Sequence, residues 1–411
     1  MITDLVPSHR ILLGPGPSMA DPRVLRAMAT PLLGQFDPEF TAIMTEVMAL
    51  SRLAFQTENL HTFPVSGTGR AGLEAAIASL IEPGDRVVVA ECGRFGALCG
   101  EIADRHGATV ARVQGEWGAV VDPDAIRTAL AAAKTKMLIV VQGETSTGVL
   151  QPLAPLGDLA RSHEALFMVD AVVTLGGCPV GVDQAQVDIV VGGSQKCLSC
   201  PSGMAPVTYN ARAAEVLRTR RTRRATNYLD LAQLAEYWSP RRFNHHTAPT
   251  AMVYGLREAL RAVQIEGLDA RFARHRLHGG ALRAGIAALG LHLFGVEPAT
   301  HRLPMLTPVV VPEGIDELRV RQRLLHDFGI EIGAAFGPLQ GRIWRIGTMG
   351  YSAQRQNVLL CLAALEVVLR AEGWTSEPGA SVAAAVAHYA AAGQAPVWPE
   401  ESLGAPGIGR Y

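Results

Sequence analysis

Leu166 to Asp170 reads as a buried strand ending in an acid. Val187 to Val191 reads as a second buried strand, which empties into Gly192-Gly193-Ser194-Gln195-Lys196. An aldehyde cofactor tethered to a protein amine needs a lysine that is close to neutral, and apolar walls push a lysine pKa that way. A pyridine cofactor needs an anion beside its ring nitrogen, because the ring withdraws electrons well only while that nitrogen is protonated. Asp170 and Lys196 are candidates for those two groups. Either one alone reads as an ordinary strand-end acid or a surface lysine, so the case rests on what else the chain brings to the same place.

A second set of residues suits an anion. Ser66-Gly67-Thr68-Gly69-Arg70-Ala71-Gly72 runs straight into the helical stretch LEAAIASLI. Glycines let backbone N–H groups approach a phosphate, and a helix start adds partial positive charge. Thr68 contributes a hydroxyl and Arg70 a cation. The same letters spell G-x-G-x-x-G, and Glu91 follows Gly72 by 19 residues after the strand Arg86 to Ala90. That is the outline of a dinucleotide fingerprint, so a nicotinamide enzyme is a rival at this point.

The elements that must position these groups alternate. Val87-Val88-Val89 leads to Gly93-Arg94-Phe95-Gly96, which opens a helix. Thr109 to Val113 and Met137 to Val141 are short apolar runs, and Gly143-Glu144-Thr145-Ser146-Thr147-Gly148 follows the second. This order predicts an α/β fold with a mostly parallel central sheet flanked by helices. In such sheets ligands sit beyond the carboxyl ends of the strands. Thr68, Phe95, Thr145, Asp170 and Lys196 each come just after a predicted strand.

Residues 1–20 read as an N-terminal arm, closed by Gly14-Pro15-Gly16-Pro17. Residues 21–266 read as a large domain, starting at the helix signal Asp21-Pro22 and ending with a helix over Met252 to Glu266. Residues 267–411 read as a smaller α+β domain with strands at Leu291 to Phe294 and Thr307 to Val311, and an alanine-rich helix over Ala380 to Ala392. Ile343-Trp344-Arg345-Ile346-Gly347 is a strand from which Arg345 can leave the sheet. Its planar fork suits a carboxylate, and a strand-edge surface arginine is the plain alternative.

The chain has 411 residues, 18% charged and 48% hydrophobic, with a formal net charge of -1. That balance gives no field for nucleic acid or an anionic membrane. No apolar run has signal-peptide form or spans a bilayer. Six scattered cysteines suggest a reducing, cytoplasmic compartment rather than a disulfide framework. Cys197-Leu198-Ser199-Cys200 has no second pair at zinc spacing, and the adjacent His245-His246 do not face one way on a helix, so no metal is expected. Five arginines between Arg218 and Arg224 read as a solvated connector or part of an anion-lined entrance.

SGTGRAG, GRFG, GETSTG, VDAVVTLGG, GGSQK, NHHT and WRIG, in this order, resemble a class V pyridoxal-phosphate aminotransferase of the alanine–glyoxylate type. The GSQK motif with an aspartate 26 residues before its lysine decides against the nicotinamide reading, since hydride transfer needs neither residue. The resemblance implies the fold-type I architecture and pyridoxal 5'-phosphate. It also implies a homodimer with shared active sites. Lys196 would then tether the cofactor and shuttle the proton, and Asp170 would pair with the ring nitrogen. Phe95 would stack on the ring and Thr145 would contact its hydroxyl side. Thr68, Gly69 and Gln195 would hold the phosphate with Thr247 of the partner subunit. Arg70 stands where such enzymes have histidine. Arg345 would bind the substrate α-carboxylate.

Two departures narrow the expectation. Asn244 stands where the alanine–glyoxylate type has tyrosine, and Gln35, in GQFDPEF, brings an amide near the arm that the resemblance implies crosses to the other subunit. Two amides offer donors and acceptors that match a urea group. With SQKCLS, NYLDL and GTMGYS, they resemble the ureidoglycine–glyoxylate branch of the family. That branch implies amino transfer from (S)-ureidoglycine to glyoxylate in purine catabolism. Neutral variation in an alanine- or serine-using enzyme is the alternative, and a lyase of the same fold a more distant one.

Overall fold

Residues 2, 4–295 and 298–393 are described in this computed structural model. Five strands lie side by side and parallel, in the order Ile189–Val191, Leu166–Asp170, Met137–Val141, Arg86–Glu91 and Thr109–Gln114. Met204–Tyr209 adds antiparallel to Ile189–Val191, and His61–Ser66 adds antiparallel to Met204–Tyr209. Two reversals return His61–Ser66 to the direction of the parallel set, so six strands deliver their carboxyl ends to one edge. The central strands, MLIVV and LFMVD, are buried along their whole length, as strands covered on both faces must be.

The expected alternation is present, with two differences. The run from Val187 gives a strand only over Ile189–Val191. Asp188, fully buried, turns inward instead and accepts from Phe167 N, Asn210 Nδ2 and Arg212 Nη1 at 2.8 Å each. The strand Met204–Tyr209 escaped the sequence reading. Pro206 interrupts its pattern, yet it sits directly opposite Pro64, so two residues without an N–H face each other.

A second apolar core, formed by residues such as Leu282, Trp344, Ile346, Leu362 and Leu365, lies under the antiparallel pair Leu306–Val310 and Ile343–Gly347. Helices Leu268–Ala288, Glu317–Phe328, Arg355–Ala371 and Ala380–Ala391 belong to it. The strand expected over Leu291 to Phe294 shrinks to one bridge, Leu293 to Val309, because Gly290 and Gly295 turn the chain on either side. The stretch 394–411 of the expected second domain lies outside the described residues.

The arm is no loose extension. Ile11–Leu12 pairs in parallel with Ile330–Glu331, and buried Leu13 joins the second core. The basic run is likewise not simply solvated: Arg220 Nη1 donates to the carbonyls of Ala78 and Ser79 at 3.1 and 3.0 Å, capping the end of helix Gly69–Leu80.

Candidate active site

Helix Gly69–Leu80 starts at the carboxyl end of His61–Ser66, with Thr68 as its N-cap residue in extended conformation. The Thr68 side chain caps nothing within the helix. Its hydroxyl and the first helical N–H groups are therefore available to an anion. The helix start can press against the sheet only because Gly69 and Gly72 lack side chains: a Cβ at either would lie 2.7 Å from a valine methyl. Arg70 is exposed at the rim and has no hydrogen-bond or ion-pair partner among the described residues. Glu91, the acid that would hold a ribose in a dinucleotide enzyme, is instead paired with Arg112 at 2.5 Å.

Lys196 and Asp170 meet in the same cleft, with Thr68, Gly69, Arg70, Phe95, Thr145 and Gln195 around them. Burial pushes the Lys196 amine down to about 8, aided by the Arg345 charge. Burial pushes the Asp170 carboxyl up to about 7, against a 2.8 Å hydrogen bond from Val172 N–H. The arm roofs the lysine. Lys196 Nζ donates to the Pro15 carbonyl, Ser18 Oγ donates to the Lys196 carbonyl at 2.7 Å, and Ser18 N–H donates to the Gln195 carbonyl at 2.9 Å. Gly16, at φ +113°, takes a backbone conformation that side-chain-bearing residues rarely adopt, and the Lys196 side chain lies against it. Sequence reasoning missed this roof, although the Gly-Pro-Gly-Pro turn was its signal.

Arg345 is buried at 4% exposure. Its Nε donates to the Ala334 carbonyl at 2.6 Å and its Nη1 to the Thr145 carbonyl at 2.9 Å, while the Phe336 ring lies 4.5 Å from Cζ. Burial lowers its pKa to about 10, so it stays charged near neutrality. With Nε and one Nη1 hydrogen engaged, Nη2 and the other Nη1 hydrogen remain for a carboxylate.

Gln35, Asn244, Thr247 and Arg345 are not among the residues that line the cleft of their own chain, and Arg345 sits behind Thr145, to whose carbonyl it donates. Gln35 and Asn244 do meet each other: Gln35 Nε2 donates to Asn244 Oδ1 at 3.3 Å, and Gln35 Oε1 is buried without a partner. His246 in the same loop is 2.8 Å from Ser66 Oγ, which ties the loop to the strand that precedes helix Gly69–Leu80.

The residues present fit pyridoxal phosphate. An acid for the ring nitrogen, a lysine of depressed pKa for the aldehyde, an aromatic wall and an uncapped helix start converge on one cleft. Gln195 Oε1 is a further orphan buried there, and rotating that amide presents its NH2 to a phosphate instead. Sheet order and donor set together define a fold-type I pyridoxal-phosphate enzyme. The chain belongs to the class V aminotransferases, whose family model matches residues 11–338. It is 50% identical over 403 residues to the (S)-ureidoglycine–glyoxylate transaminase of Bacillus subtilis, covering 94% of this chain and 96% of that one. It is 37% identical to the alanine–glyoxylate aminotransferase of Mus musculus, covering 88% of each. The crystal structure of a ureidoglycine–glyoxylate aminotransferase from Bacillus subtilis superposes with a TM-score of 0.93 at 52% identity, over 94% of this chain and 100% of that one. An alanine–glyoxylate aminotransferase from Nostoc sp. gives 0.88 at 43%, over 90% and 98%. The protein is thus a pyridoxal-phosphate-dependent aminotransferase, as its motifs implied.

Proposed function

We propose that the enzyme moves the amino group of (S)-ureidoglycine to glyoxylate, giving oxalurate and glycine. The observation that carries this reading is the Gln35–Asn244 pair. Once joined, it leaves one acceptor, the orphaned Gln35 Oε1, and one donor, Asn244 Nδ2. A urea group offers the complement, an N–H and a carbonyl. A polar site of this kind rejects a donor that lacks the polar partner, because its own groups would stay unpaired. The 50% identity to a ureidoglycine–glyoxylate transaminase supports the same choice. Alanine or serine is the alternative donor, favoured by the alanine–glyoxylate relatives.

The pair and Thr247 serve the partner subunit's site in this proposal. Leu32, Phe36 and Phe243 beside them are 67%, 67% and 71% exposed, and such apolar clusters favour a second copy of the chain. The division at 20/21 and 266/267 belongs to the same reading. It is supported by two separate cores and by Gly267, at φ +79°, between two long helices. So does cytoplasmic residence. It is supported by six buried free cysteines, and no helix among the described residues is long and apolar enough to cross a membrane.

Bound pyridoxal phosphate supplies an electrophilic carbon and an electron-withdrawing ring. The chain supplies the rest. Asp170 would pair with the ring nitrogen and keep it protonated. Phe95 would wall the cofactor, and Thr68, Gly69, Arg70 and Gln195 would hold its phosphate. Arg345 grips the substrate carboxylate by its outer edge and so aims the α C–H bond at Lys196. With a pKa of about 8, Lys196 Nζ can take that proton and return it near neutral pH.

Two outcomes test this reading. Assayed with glyoxylate and ureidoglycine, alanine or serine in turn, the protein is expected to prefer ureidoglycine. Asn244→Tyr should lower that preference by about tenfold or more, and equal losses with all donors would remove Asn244 from substrate choice. Arg345→Ala should raise KM for amino donor and glyoxylate alike by about tenfold or more, the loss of a charge-assisted contact. A change for only one of them contradicts a shared carboxylate site.

A further inference from the structure

Glu144 is a buried acid that the cycle above leaves unused. It is 0% exposed, and an ionised carboxylate survives there only if fully hydrogen-bonded. Oε2 accepts from the N–H groups of Phe95 and Gly96 at 2.8 and 3.2 Å. Oε1 accepts from Ser146 N–H at 3.0 Å and Ser146 Oγ at 2.6 Å. Ser146 Oγ in turn accepts from Arg94 N–H at 2.9 Å.

Arg94, Phe95 and Gly96 are the first three residues of helix Arg94–Arg105, and the N-cap, Gly93, has no side chain to offer. Their N–H groups have no acceptor inside a helix. The 144–146 turn therefore caps this helix from a distant part of the chain, with a negative charge at the helix's positive end. Gly93 admits it: a Cβ there would lie 2.4 Å from Ser146 Oγ and 2.5 Å from Glu144 Cγ.

The other side of the same turn faces the cleft. Thr145 lines the cleft, and its carbonyl takes the Nη1 bond of Arg345. Burial raises the Glu144 pKa while its hydrogen bonds oppose the rise, and its charge favours the charged form of Arg345.

We propose that Glu144 is a positioning residue. Its carboxylate locks helix Arg94–Arg105 to the 144–146 turn, fixing as one piece the Phe95 ring that walls the cofactor and the Arg345 fork that holds the substrate carboxylate. The proposal rests on the roles given to Phe95 and Arg345 above.

The test compares full-length variants by the affinity of the apoprotein for pyridoxal phosphate, by KM against kcat, and by Tm. Glu144→Ala should weaken cofactor binding and raise both substrate KM values about tenfold, the loss of charge-assisted hydrogen bonds. Glu144→Gln keeps an acceptor for Phe95 and Gly96 but turns an NH2 toward Ser146 N–H. It should recover only part of the loss, with an affinity between those of Glu144→Ala and the unsubstituted protein. Phe95→Leu should weaken cofactor binding on its own. A folded Glu144→Ala protein with unchanged cofactor affinity and KM, whatever its Tm, overturns the inference if Phe95→Leu binds more weakly. No loss in either variant overturns the reading of Phe95 itself, and the inference with it. If Glu144→Ala does not fold, Ser146→Ala replaces it: a loss of about threefold supports the proposal, and unchanged affinities overturn it.

Discussion

Lys196→Ala is expected to fold, to lose turnover by at least about 10^4-fold, and to lose the covalent cofactor link. The loss is large because the proposal gives one side chain two duties, tether and proton carrier, and no other described lysine lines the cleft. Folding should survive. The Lys196 side chain is held by one bond to the Pro15 carbonyl, while the loop's backbone is held separately by Ser18. Borohydride reduction followed by peptide mapping should label Lys196 in the unsubstituted protein and no residue in the variant. Turnover retained within about tenfold, or a label on another lysine, would remove Lys196 from the centre of the site.

The same loop marks the boundary of what the sequence made legible. Thr68, Phe95, Thr145, Asp170 and Lys196 were readable because each follows an apolar run, and a parallel sheet must bring such strand ends to one edge. The Gly-Pro-Gly-Pro turn announces a sharp bend but not what it covers, since Pro15 lies 181 positions from Lys196. Gln35 and Asn244 were each read as amides that could meet a urea, but their contact spans 209 positions. Glu144 carries no local signal of its burial, being an acid between glycine and threonine in a polar turn. Only the fold brings it under a helix whose own N-cap is glycine.

Burial also overturned the usual reading of charge. Arg271 and Arg274 lie on a helix with no apolar stripe that would predict their burial, yet they are 0% and 1% exposed. They share Glu266, whose side chain is 3% exposed, and Arg271 also donates to the carbonyl of Cys197, next to Lys196. Periodicity locates the faces of helices that pack apolar surface. It is silent where packing is done by ion pairs and backbone carbonyls, as it is under this loop.

Asp170→Asn should separate function from stability most sharply, by moving the two in opposite directions. Turnover should fall by about 10^3-fold or more, because an amide cannot hold the ring nitrogen cationic. The apoprotein should become more stable. Burial holds Asp170 near 7 rather than the ordinary 3.8. Above pH 7 the native state carries an ionised carboxyl that the unfolded chain ionises far more easily, a burden of roughly 4 kcal/mol. Between 3.8 and 7 the native state binds more protons than the unfolded one, so that burden shrinks as pH falls. Asparagine keeps an acceptor for Val172 N–H and carries no charge. The Tm advantage of the variant should therefore be greatest near pH 8, shrink as pH falls through 7, and vanish toward pH 4. Saturating pyridoxal phosphate should reverse the order, since only the aspartate gains a cationic partner. A variant that is less stable than the unsubstituted apoprotein at pH 8, or whose advantage grows on acidification, would mean that Asp170 is a structural acid and not the partner of the cofactor ring.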